Sequence, residues 1–596
     1  MVLLVFALSL NAAPAPDDAT HKKSGSRRPY SHVITLYDAR EQAIDPTAET
    51  AAPYSPSATC RKCHDVAKIH TGHHFAGSTT SPSGRPGEPW IWVDRRTGTQ
   101  LPLSYRDWPG TYRPEALGID AEQFTETFGR HLPGTGFTAN EESDPLEIDC
   151  LSCHLADRDY RHPKWMEAVS AGTFDVAPTL AAGIGKKSAE DPSRIVYDTR
   201  RFESDGTIFI DVVRRPPNES CYGCHTVKPV GDGATPRWLH EGDVHLAAGL
   251  DCVDCHTNGL DHHTVRGFPG ESADGHPAAT LSCEGCHGGV EEGDGAGHFG
   301  APRPEHRGLP PLHLETMSCT SCHSGFVPSD PPHQVQTSMA HSLGVASQDR
   351  RDDDAPQIVT SILARDDRGV LTPHRQFWPS FWGWQAGETV TPIAPSDVTR
   401  VVRRAFRVRQ DFAREVRKGD GSVEELEVTF REKLGKAFAA MAKQKPSDDA
   451  QPVYVSGGQL YRTARSADAE PKIEAIAHPA AAPYRWPVAH DVRPARAALG
   501  ATGCTECHSP DAPMLHATIT AIGPAPSAQP VVTAAHETAK FDPVLLSTWE
   551  RSFEGRDLFK GLAAVAVAVI ALALATLLIR SSRRSAGKSD AEANGS

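Results

Sequence analysis

The residues best suited to chemistry in this chain are seven copies of the motif Cys-x-x-Cys-His, which together use all 14 cysteines. Two thiols three residues apart can each bond one vinyl group of a porphyrin, and the next imidazole then lies under the iron. This spacing is the attachment signature of c-type haem, so the sequence predicts seven covalently attached haem c groups. The predicted cofactor-binding cysteines are Cys60, Cys63, Cys150, Cys153, Cys221, Cys224, Cys252, Cys255, Cys283, Cys286, Cys319, Cys322, Cys504 and Cys507. The predicted proximal iron ligands are His64, His154, His225, His256, His287, His323 and His508.

Two other chemistries use a Cys-x-x-Cys pair, namely half of a zinc site and a redox-active disulfide. Zinc sites would combine the pairs in twos, which an odd number of pairs does not allow. Neither chemistry requires a histidine directly after every pair, and only 29 of the 596 residues are histidine. The motifs as a set therefore favour haem over zinc or disulfide chemistry.

Histidines outside the motifs are candidates for the opposite, distal side of each iron. The chain has only six methionines, so a general pattern of His/Met ligation is excluded. Ligation by two histidines predicts low reduction potentials, because methionine ligation raises them. For each single histidine, a place on the surface or in the core is the alternative reading. The candidate distal ligands are His70, His73, His74, His131, His162, His245, His262, His263, His298, His313 and His490.

Composition indicates how much protein core is available to position these motifs. Hydrophobic residues make up 39% of the chain, which also contains 49 glycines and 48 prolines. We expect a thin protein core in which haem plates replace part of the missing packing, so that folding depends on cofactor attachment. The predicted fold class is mainly α with much irregular structure: a haem-packed multihaem cytochrome c domain plus one C-terminal transmembrane helix.

The motifs and the apolar segments divide the chain into predicted units. A short apolar run and the alanines after it predict a signal peptide. The predicted units are a signal peptide at 1–15, a multihaem domain with six motifs at 16–323, a haem-free insert of mixed helix and hairpin at 324–503, the seventh motif at 504–516, a linker and juxtamembrane segment at 517–559, a transmembrane helix at 560–580 and a cytoplasmic tail at 581–596.

The haem-free insert has local structural signals of its own. A helix is predicted to begin at Ser396 and to run to about Lys418. Ser422 and Glu425 form a capping-box pattern at the start of a second helix. The glycines at 457–458, between two apolar runs, predict a β-hairpin.

The segment from Gly561 to Ile579 contains no charged residue. As a helix it would be roughly 28 Å long, close to the thickness of the hydrocarbon core of a bilayer. Arg580, Arg583 and Arg584 follow it, which predicts that its C-terminal end faces the cytoplasm. A buried helix in a large core is the alternative. We therefore expect a single span in the cell (inner) membrane, with the haem domain on the periplasmic, extracytoplasmic side.

The charge balance limits the classes of partner. The formal net charge is −14 at pH 7 with neutral histidines, and no broad basic surface is indicated. This excludes a typical nucleic-acid-binding protein. We expect redox proteins as partners, including a membrane subunit that oxidises quinol.

The repeated motifs resemble periplasmic multihaem c-type cytochromes, and this resemblance covers most of the chain. Two stretches, 243–256 and 490–494, resemble octahaem tetrathionate reductases and hydroxylamine-oxidoreductase-related cytochromes more narrowly. The first contains Asp243-Val244-His245 and the fourth motif, and the second reads His490-Asp491-Val492-Arg493-Pro494. The sequence departs from those families in having seven motifs rather than eight, no Cys-x-x-Cys-Lys variant and a C-terminal anchor.

The expected function is electron transfer. Four motifs fall between Cys221 and His323, so neighbouring redox centres must lie close together. We expect electrons to pass between a membrane, quinol-linked partner and a periplasmic or extracellular acceptor. The alternative is a multihaem oxidoreductase that acts on a small nitrogen or sulfur compound, of the nitrite, hydroxylamine or tetrathionate class, at one open-site haem. The sequence identifies no catalytic residue.

Overall fold

The computed structural model describes residues 32–593 except 50, 73, 76–85, 129–146, 148, 157–159, 192–193, 232–241, 267–271, 274–275, 278–281, 289–297, 342–350, 352 and 465–471. The predicted signal peptide, His73 and His131 lie outside the described residues. So does the side chain of His298.

The first part of the chain consists of short elements joined by loops. Its core is an apolar cluster around Trp165, Val169 and Ile195. The strands of this part pair in twos, apart from the last one, which joins a larger sheet. The elements are β1 (Val33–Ile34), α1 (Pro56–Cys60), α2 (Val66–Ile69), β2 (Trp90–Asp94), β3 (Thr99–Leu103), α3 (Ala121–Phe128), α4 (Leu151–His154), α5 (His162–Ser170), α6 (Ala177–Ala181), β4 (Gly185–Lys187), β5 (Ile195–Tyr197), β6 (Ile208–Phe209), α7 (Asn218–Tyr222) and β7 (Val227–Val230).

The part richest in motifs has the least regular structure. Its helices have four to six residues each, and three of them begin at or inside a motif. The elements are α8 (Val244–Ala247), α9 (Cys252–Cys255), β8 (Ser272–Ala273), β9 (His276–Pro277), α10 (Cys283–His287), α11 (Pro311–Thr316) and α12 (Cys319–His323).

Two five-stranded antiparallel sheets dominate the next part. Their strand orders are β18-β12-β11-β10-β7 and β14-β13-β15-β16-β17. The elements of this part are β10 (His333–Thr337), β11 (Ile358–Arg365), β12 (Leu371–Phe377), β13 (Phe381–Ala386), β14 (Thr389–Pro392), α13 (Pro395–Phe406), α14 (Phe412–Val416), α15 (Val423–Met441), β15 (Gln451–Ser456), β16 (Gln459–Thr463), β17 (Ile473–Ile476) and β18 (Tyr484–Pro487).

These sheets correct the fold-class prediction, because the chain is not mainly α. Strand β12 is buried at every position, and β11 at every position except Arg365. Strands buried on both faces read as continuous runs without the alternation that marks a half-exposed strand. Protein side chains supply the core of this part, so the expectation of a fold packed mainly by haem is wrong here.

Of the three local predictions for the haem-free insert, the capping box and the hairpin are confirmed and the extent of the first helix is wrong. The capping box at Ser422 and Glu425 is present and begins α15. The hairpin also forms, with β15 and β16 joined at the two glycines. The helix predicted from Ser396 instead ends at Phe406, because Arg407 adopts a left-handed conformation with φ 59°. The bend lets Phe406 and a second phenylalanine, Phe412, both contact the buried Trp382.

The C-terminal part begins with a segment that the sequence assigns to a linker. Within it β19 and β20 pair with each other. Ile519 and Ala535 are buried in one cluster with Val359 of β11 and Trp378, which follows β12. Burial of these small apolar side chains holds the segment on the folded body. The elements are α16 (Pro513–His516), β19 (Thr518–Thr520), β20 (Val532–Ala534), α17 (Ala535–Thr538), α18 (Pro543–Glu554) and α19 (Arg556–Ala593).

The last two helices form one long apolar stretch. Among the described residues, Pro543–Arg583 is long and apolar enough to cross a membrane, and its most apolar window is not buried against the rest of the chain. The C-terminal helix of the prediction is therefore present, as judged by length and composition.

Candidate functional site: a row of paired imidazoles

The seven motifs form a row in the order in which they occur along the chain. The thiols of Cys60 and Cys150, from the first two motifs, lie close enough that Cys60 raises the pKa of Cys150. Hydrogen-bond contact or electrostatic proximity links the later motifs in the same way. These links join Cys153 to Cys224, Cys221 to Cys252, Cys255 to Cys286, Cys283 to Cys319, and Cys322 to Cys507. The motifs therefore run continuously from the N-terminal part of the fold to the apolar C-terminal helices.

Six of the seven motif histidines lie beside an imidazole from elsewhere in the chain. Six such pairs have ring centroids 5.8–6.2 Å apart. Two imidazoles on opposite sides of one metal ion have ring centres roughly 6 Å apart, because each metal–nitrogen bond is about 2 Å long. The pairs are His225 with His74, His154 with His262, His287 with His245, His256 with His490, His323 with His306, and His508 with His313.

The first motif has a partner as well. Burial is the main cause that lowers the pKa of His32, and the nearby ring of His64 lowers it further. His64 is thus electrostatically close to His32, whereas the other six motif histidines have ring partners at measured centroid distances.

Hydrogen bonds determine which nitrogen of these rings is available. The Nδ1 atoms of His154, His256 and His287 each lie 2.8 Å from a backbone carbonyl oxygen. A carbonyl oxygen only accepts, so each Nδ1 carries the proton and each Nε2 keeps its lone pair. This is the arrangement of metal-binding histidines, whose other nitrogen is held by a second partner.

Among the partner imidazoles, His245 has the strongest such contact. Its Nδ1 lies 2.9 Å from Oδ1 of Asp243, which is itself buried. The carboxylate accepts a second hydrogen bond from the backbone N–H of His245 and a third from that of Val492. The hydrogen bond to Asp243 raises the pKa of His245. The ring is thereby oriented and made more electron-rich.

Several partner positions have an unusual backbone. His262 and His306 have φ values of 55° and 39°, and Asp491, next to His490, has a φ of 59°. Such conformations are uncommon for residues other than glycine. Strain of this kind persists where the surrounding structure fixes it, and it clusters at functional sites.

Burial keeps several of these rings neutral. It lowers the pKa of His154, with the hydrogen bond to Val213 acting in the opposite direction and His262 adding to the lowering. It also lowers the pKa of His323 and of His508, and in each case the paired imidazole lowers it further. Burial and the paired imidazoles therefore both favour the neutral form of these rings.

The structure brings five of the predicted distal residues next to a motif histidine. These five are His74, His245, His262, His313 and His490. Two other predicted distal residues contact aromatic rings: His70 contacts Phe75, and His162 contacts Tyr160. The backbone N–H of His263 donates to Oδ1 of Asp261 at 3.1 Å.

Sequence reasoning missed two partners, His32 and His306. His32 precedes the first motif by 28 residues, and His306 precedes the sixth motif by 13, with the candidate His313 between them. Nearness in sequence also misleads about pairing, since His490 precedes the seventh motif but faces His256 of the fourth. A left-handed backbone at His306 is a signal that only the structure provides.

The cofactor prediction of seven covalently attached haem c groups is corrected by this geometry. Among the described residues, no group of three or more His, Cys, Asp or Glu side chains converges where it could hold a metal ion. The cysteines are free thiols and are not in a haem-binding arrangement. Each imidazole pair supplies two ligands. A metal ion that is held by protein side chains alone requires more than two.

The row ends at the apolar C-terminal helices. The His508 ring stacks on Phe553 of α18, with centroids 4.4 Å apart and planes 12° apart. Trp549 of the same helix lies 6.2 Å from the His508 ring. Arg556 donates to the sulfur of Cys504 at 3.2 Å. The seventh motif is therefore the one that adjoins the membrane-spanning candidate.

Comparison with known proteins gives little further information. No family model matches the chain, and no solved structure is significantly similar to it. An uncharacterized protein from Archaeoglobus fulgidus is 25% identical over 178 residues, which represent 28% of this chain and 52% of that protein. The chain thus spans about half the length of this curated relative. This similarity is too limited to assign the chain to a family.

Proposed function

We propose that this protein is a membrane-anchored electron-transfer protein whose redox centres lie between facing imidazoles. The observation that carries the proposal is the set of paired rings along one continuous row of motifs. The resemblance to multihaem cytochromes also predicts electron transfer. That resemblance stays a prediction.

The facing imidazoles are the groups of this chain that would hold a redox metal, which would supply one-electron chemistry when bound. The protein's part is to fix these rings and their hydrogen bonds.

The row provides a path with two ends. Electron tunnelling weakens steeply with distance, so close contact between successive motifs favours conduction along the row. One end, at His32 and His64, belongs to the N-terminal part of the fold. The other end, at His313 and His508, adjoins α18 and α19. This arrangement suits electron exchange between a membrane donor and an extracytoplasmic acceptor.

The sidedness of the anchor follows from charge. Arg580, Arg583 and Arg584 lie at the C-terminal end of the apolar segment, where a cytoplasmic location is favoured. The paired imidazoles then lie on the other side, in the periplasm or its equivalent. Anchoring in the inner membrane would place the row within reach of membrane-bound electron donors.

The experiment is low-temperature electron paramagnetic resonance on the oxidised full-length protein, with bound metal counted in parallel. Low-spin signals from bis-imidazole iron, together with reversible reduction by dithionite, would support electron transfer. Absence of bound redox metal, or of any reducible centre, would overturn the proposal. A high-spin signal altered by nitrite, hydroxylamine or tetrathionate would favour the oxidoreductase alternative instead.

A pair of variants tests the role of the imidazole pairs. His490→Ala removes the ring that faces His256, so one low-spin signal should be lost or become high-spin. His478→Asn is the matched control. Its ring lies in the haem-free insert and caps a short helix through Nδ1, which asparagine can also do. Identical spectra for both variants would contradict the assigned pairing.

A further inference from the structure

A cavity of about 380 Å³ lies where the two large sheets and the C-terminal segment meet. Gln376 of β12 and Arg485 of β18 line it from the first sheet, and Gly458 lines it from the hairpin turn of the second. Thr533 of β20 contributes from the C-terminal segment. In the described structure, none of the lining residues belongs to an imidazole pair. The volume is that of a site for a small ligand.

The hairpin turn approaches the first sheet closely at Gly458. The φ of this residue is 76°, in the left-handed region that glycine adopts without strain. A Cβ added there would lie 3.6 Å from Cδ1 of Trp378 and 3.3 Å from Cβ of Ala521. The tight contact between the turn and Trp378 therefore fixes one wall of the cavity.

The cation of this cavity is Arg485, which is partly buried on the edge strand β18. Its register partner on β12 is Gln376, which is 1% exposed and accepts a hydrogen bond from Nε of Arg485 through its Oε1. Within the described residues no acidic side chain pairs with Arg485, whereas Arg462 on β16 pairs with Glu474 at 2.7 Å. Burial lowers the pKa of Arg485. A partly desolvated cation without a counter-ion is unfavourable, and an anion in the cavity would offset this cost.

The geometry of the guanidinium indicates which anion fits. The hydrogen bond to Gln376 uses Nε, and in the part of the chain that the structure describes no residue accepts from the two Nη nitrogens of Arg485. A planar guanidinium binds a carboxylate through two parallel hydrogen bonds. The other walls are largely apolar and include Trp378, Pro479 and Pro483. Such walls favour a ligand whose remaining part is apolar.

We propose that this cavity binds a small organic carboxylate with an apolar body. Arg485 binds the carboxylate group, and Gln376 holds the guanidinium in position. Trp378 and the two prolines contact the apolar body of the ligand. The site uses no residue of the row of motifs, so the inference goes beyond the proposed electron-transfer function and does not depend on it.

Isothermal titration calorimetry with benzoate tests the site on the full-length protein in lipid nanodiscs, with empty nanodiscs as the blank. Two further ligands separate the parts of the interaction, since acetate lacks the apolar body and benzamide lacks the charge. Each should bind at least about tenfold more weakly than benzoate, because acetate buries less apolar surface and benzamide makes no hydrogen bond between charged groups.

Three variants test the role of Arg485. Arg485→Gln should weaken the binding of benzoate at least about tenfold and leave the binding of benzamide unchanged. Arg485→Lys keeps the charge without the planar guanidinium, so its affinity for benzoate should lie between those of the wild type and Arg485→Gln. Arg404→Gln removes the same charge from an exposed position on α13 and is the matched control, which should bind benzoate as the wild type does.

Saturable, equimolar binding of benzoate that depends on Arg485 would support the site. Absence of saturable binding to the wild type, or equal affinity for benzoate and either of the other ligands, would overturn it. Equal weakening by Arg404→Gln and Arg485→Gln would show a general effect of charge and would overturn it as well. Should Arg485→Gln not fold, Arg485→Lys and the comparison of benzoate with benzamide on the wild type still decide. Calorimetry requires no redox metal, so failure here would leave the electron-transfer proposal standing.

Discussion

At the scale of single residues, the hydrogen bond on Nδ1 distinguishes the paired histidines from one another. His154, His256 and His287 donate to neutral carbonyl oxygens, whereas His245 contacts the carboxylate of Asp243. A carboxylate makes the imidazole a stronger electron donor than a carbonyl does, which favours the oxidised metal. The proposed centre between His245 and His287 should therefore have a lower potential than its neighbours.

Asp243→Asn tests this difference. Replacement of the carboxylate by an amide should raise the midpoint potential of one centre and leave the others in place. Potentiometric titration followed by absorption spectroscopy measures the shift. Asp205→Asn, at an exposed turn, removes the same charge elsewhere and serves as control. A downward shift, or equal shifts in both variants, would contradict the role of Asp243.

A second residue-scale prediction concerns Asp149, which is 1% exposed and precedes the second motif. Burial raises its pKa to about 7, and the hydroxyl of Tyr54 donates to its Oδ1 at 3.3 Å. The folded state therefore keeps a proton that the unfolded state loses near pH 4. Stability from this group is fully present below pH 4 and is lost as the pH rises to about 7, by at most about 1.4 kcal/mol per pH unit.

Asp149→Asn removes this dependence, because an amide does not titrate. Relative to the variant, the wild type should become less stable between pH 5 and pH 7. Thermal unfolding midpoints at several pH values measure the difference. Parallel pH profiles for the two proteins would show that Asp149 does not titrate in this range.

At the scale of elements, local signals succeeded where a short stretch of chain decides the structure. The capping box of α15 needs only Ser422 and Glu425, whose side chains each bond the other's backbone N–H. The helix from Ser396 failed because its end is decided by contacts of Phe406 and Phe412 with Trp382. Such contacts depend on a sheet that is formed by distant segments.

The cap itself gives a stability prediction. Ser422→Ala removes the hydroxyl that accepts from the backbone N–H of Glu425, and should destabilise the protein by about 1 kcal/mol. Glu432→Ala, at an exposed position in the middle of α15, should change stability by less than about 0.5 kcal/mol. Chemical unfolding of both variants makes the comparison. An equal effect of the two substitutions would argue against the cap.

At the scale of the whole molecule, the row of motifs ends beside the apolar C-terminal helices. Truncation after Lys560 removes the segment without charges and keeps every motif. The truncated protein should be released from membranes by an alkaline wash, whereas the full chain should stay in the membrane pellet. Its redox spectrum should match that of the full chain, since no imidazole pair is removed. Retention in the pellet would show that the body itself, or a partner, binds the membrane.

The sequence by itself determined the features that depend on neighbouring residues. These are the capping box, the hairpin and the apolar C-terminal segment. The tertiary structure decided which imidazoles face each other, because His256 and His490 are 234 positions apart and meet only when the chain between them has folded. It also decided the fold class, since the buried strands β11 and β12 are recognisable only from the partners that cover both of their faces. Long-range packing has no local signal in the sequence, and that is why these parts could not be predicted.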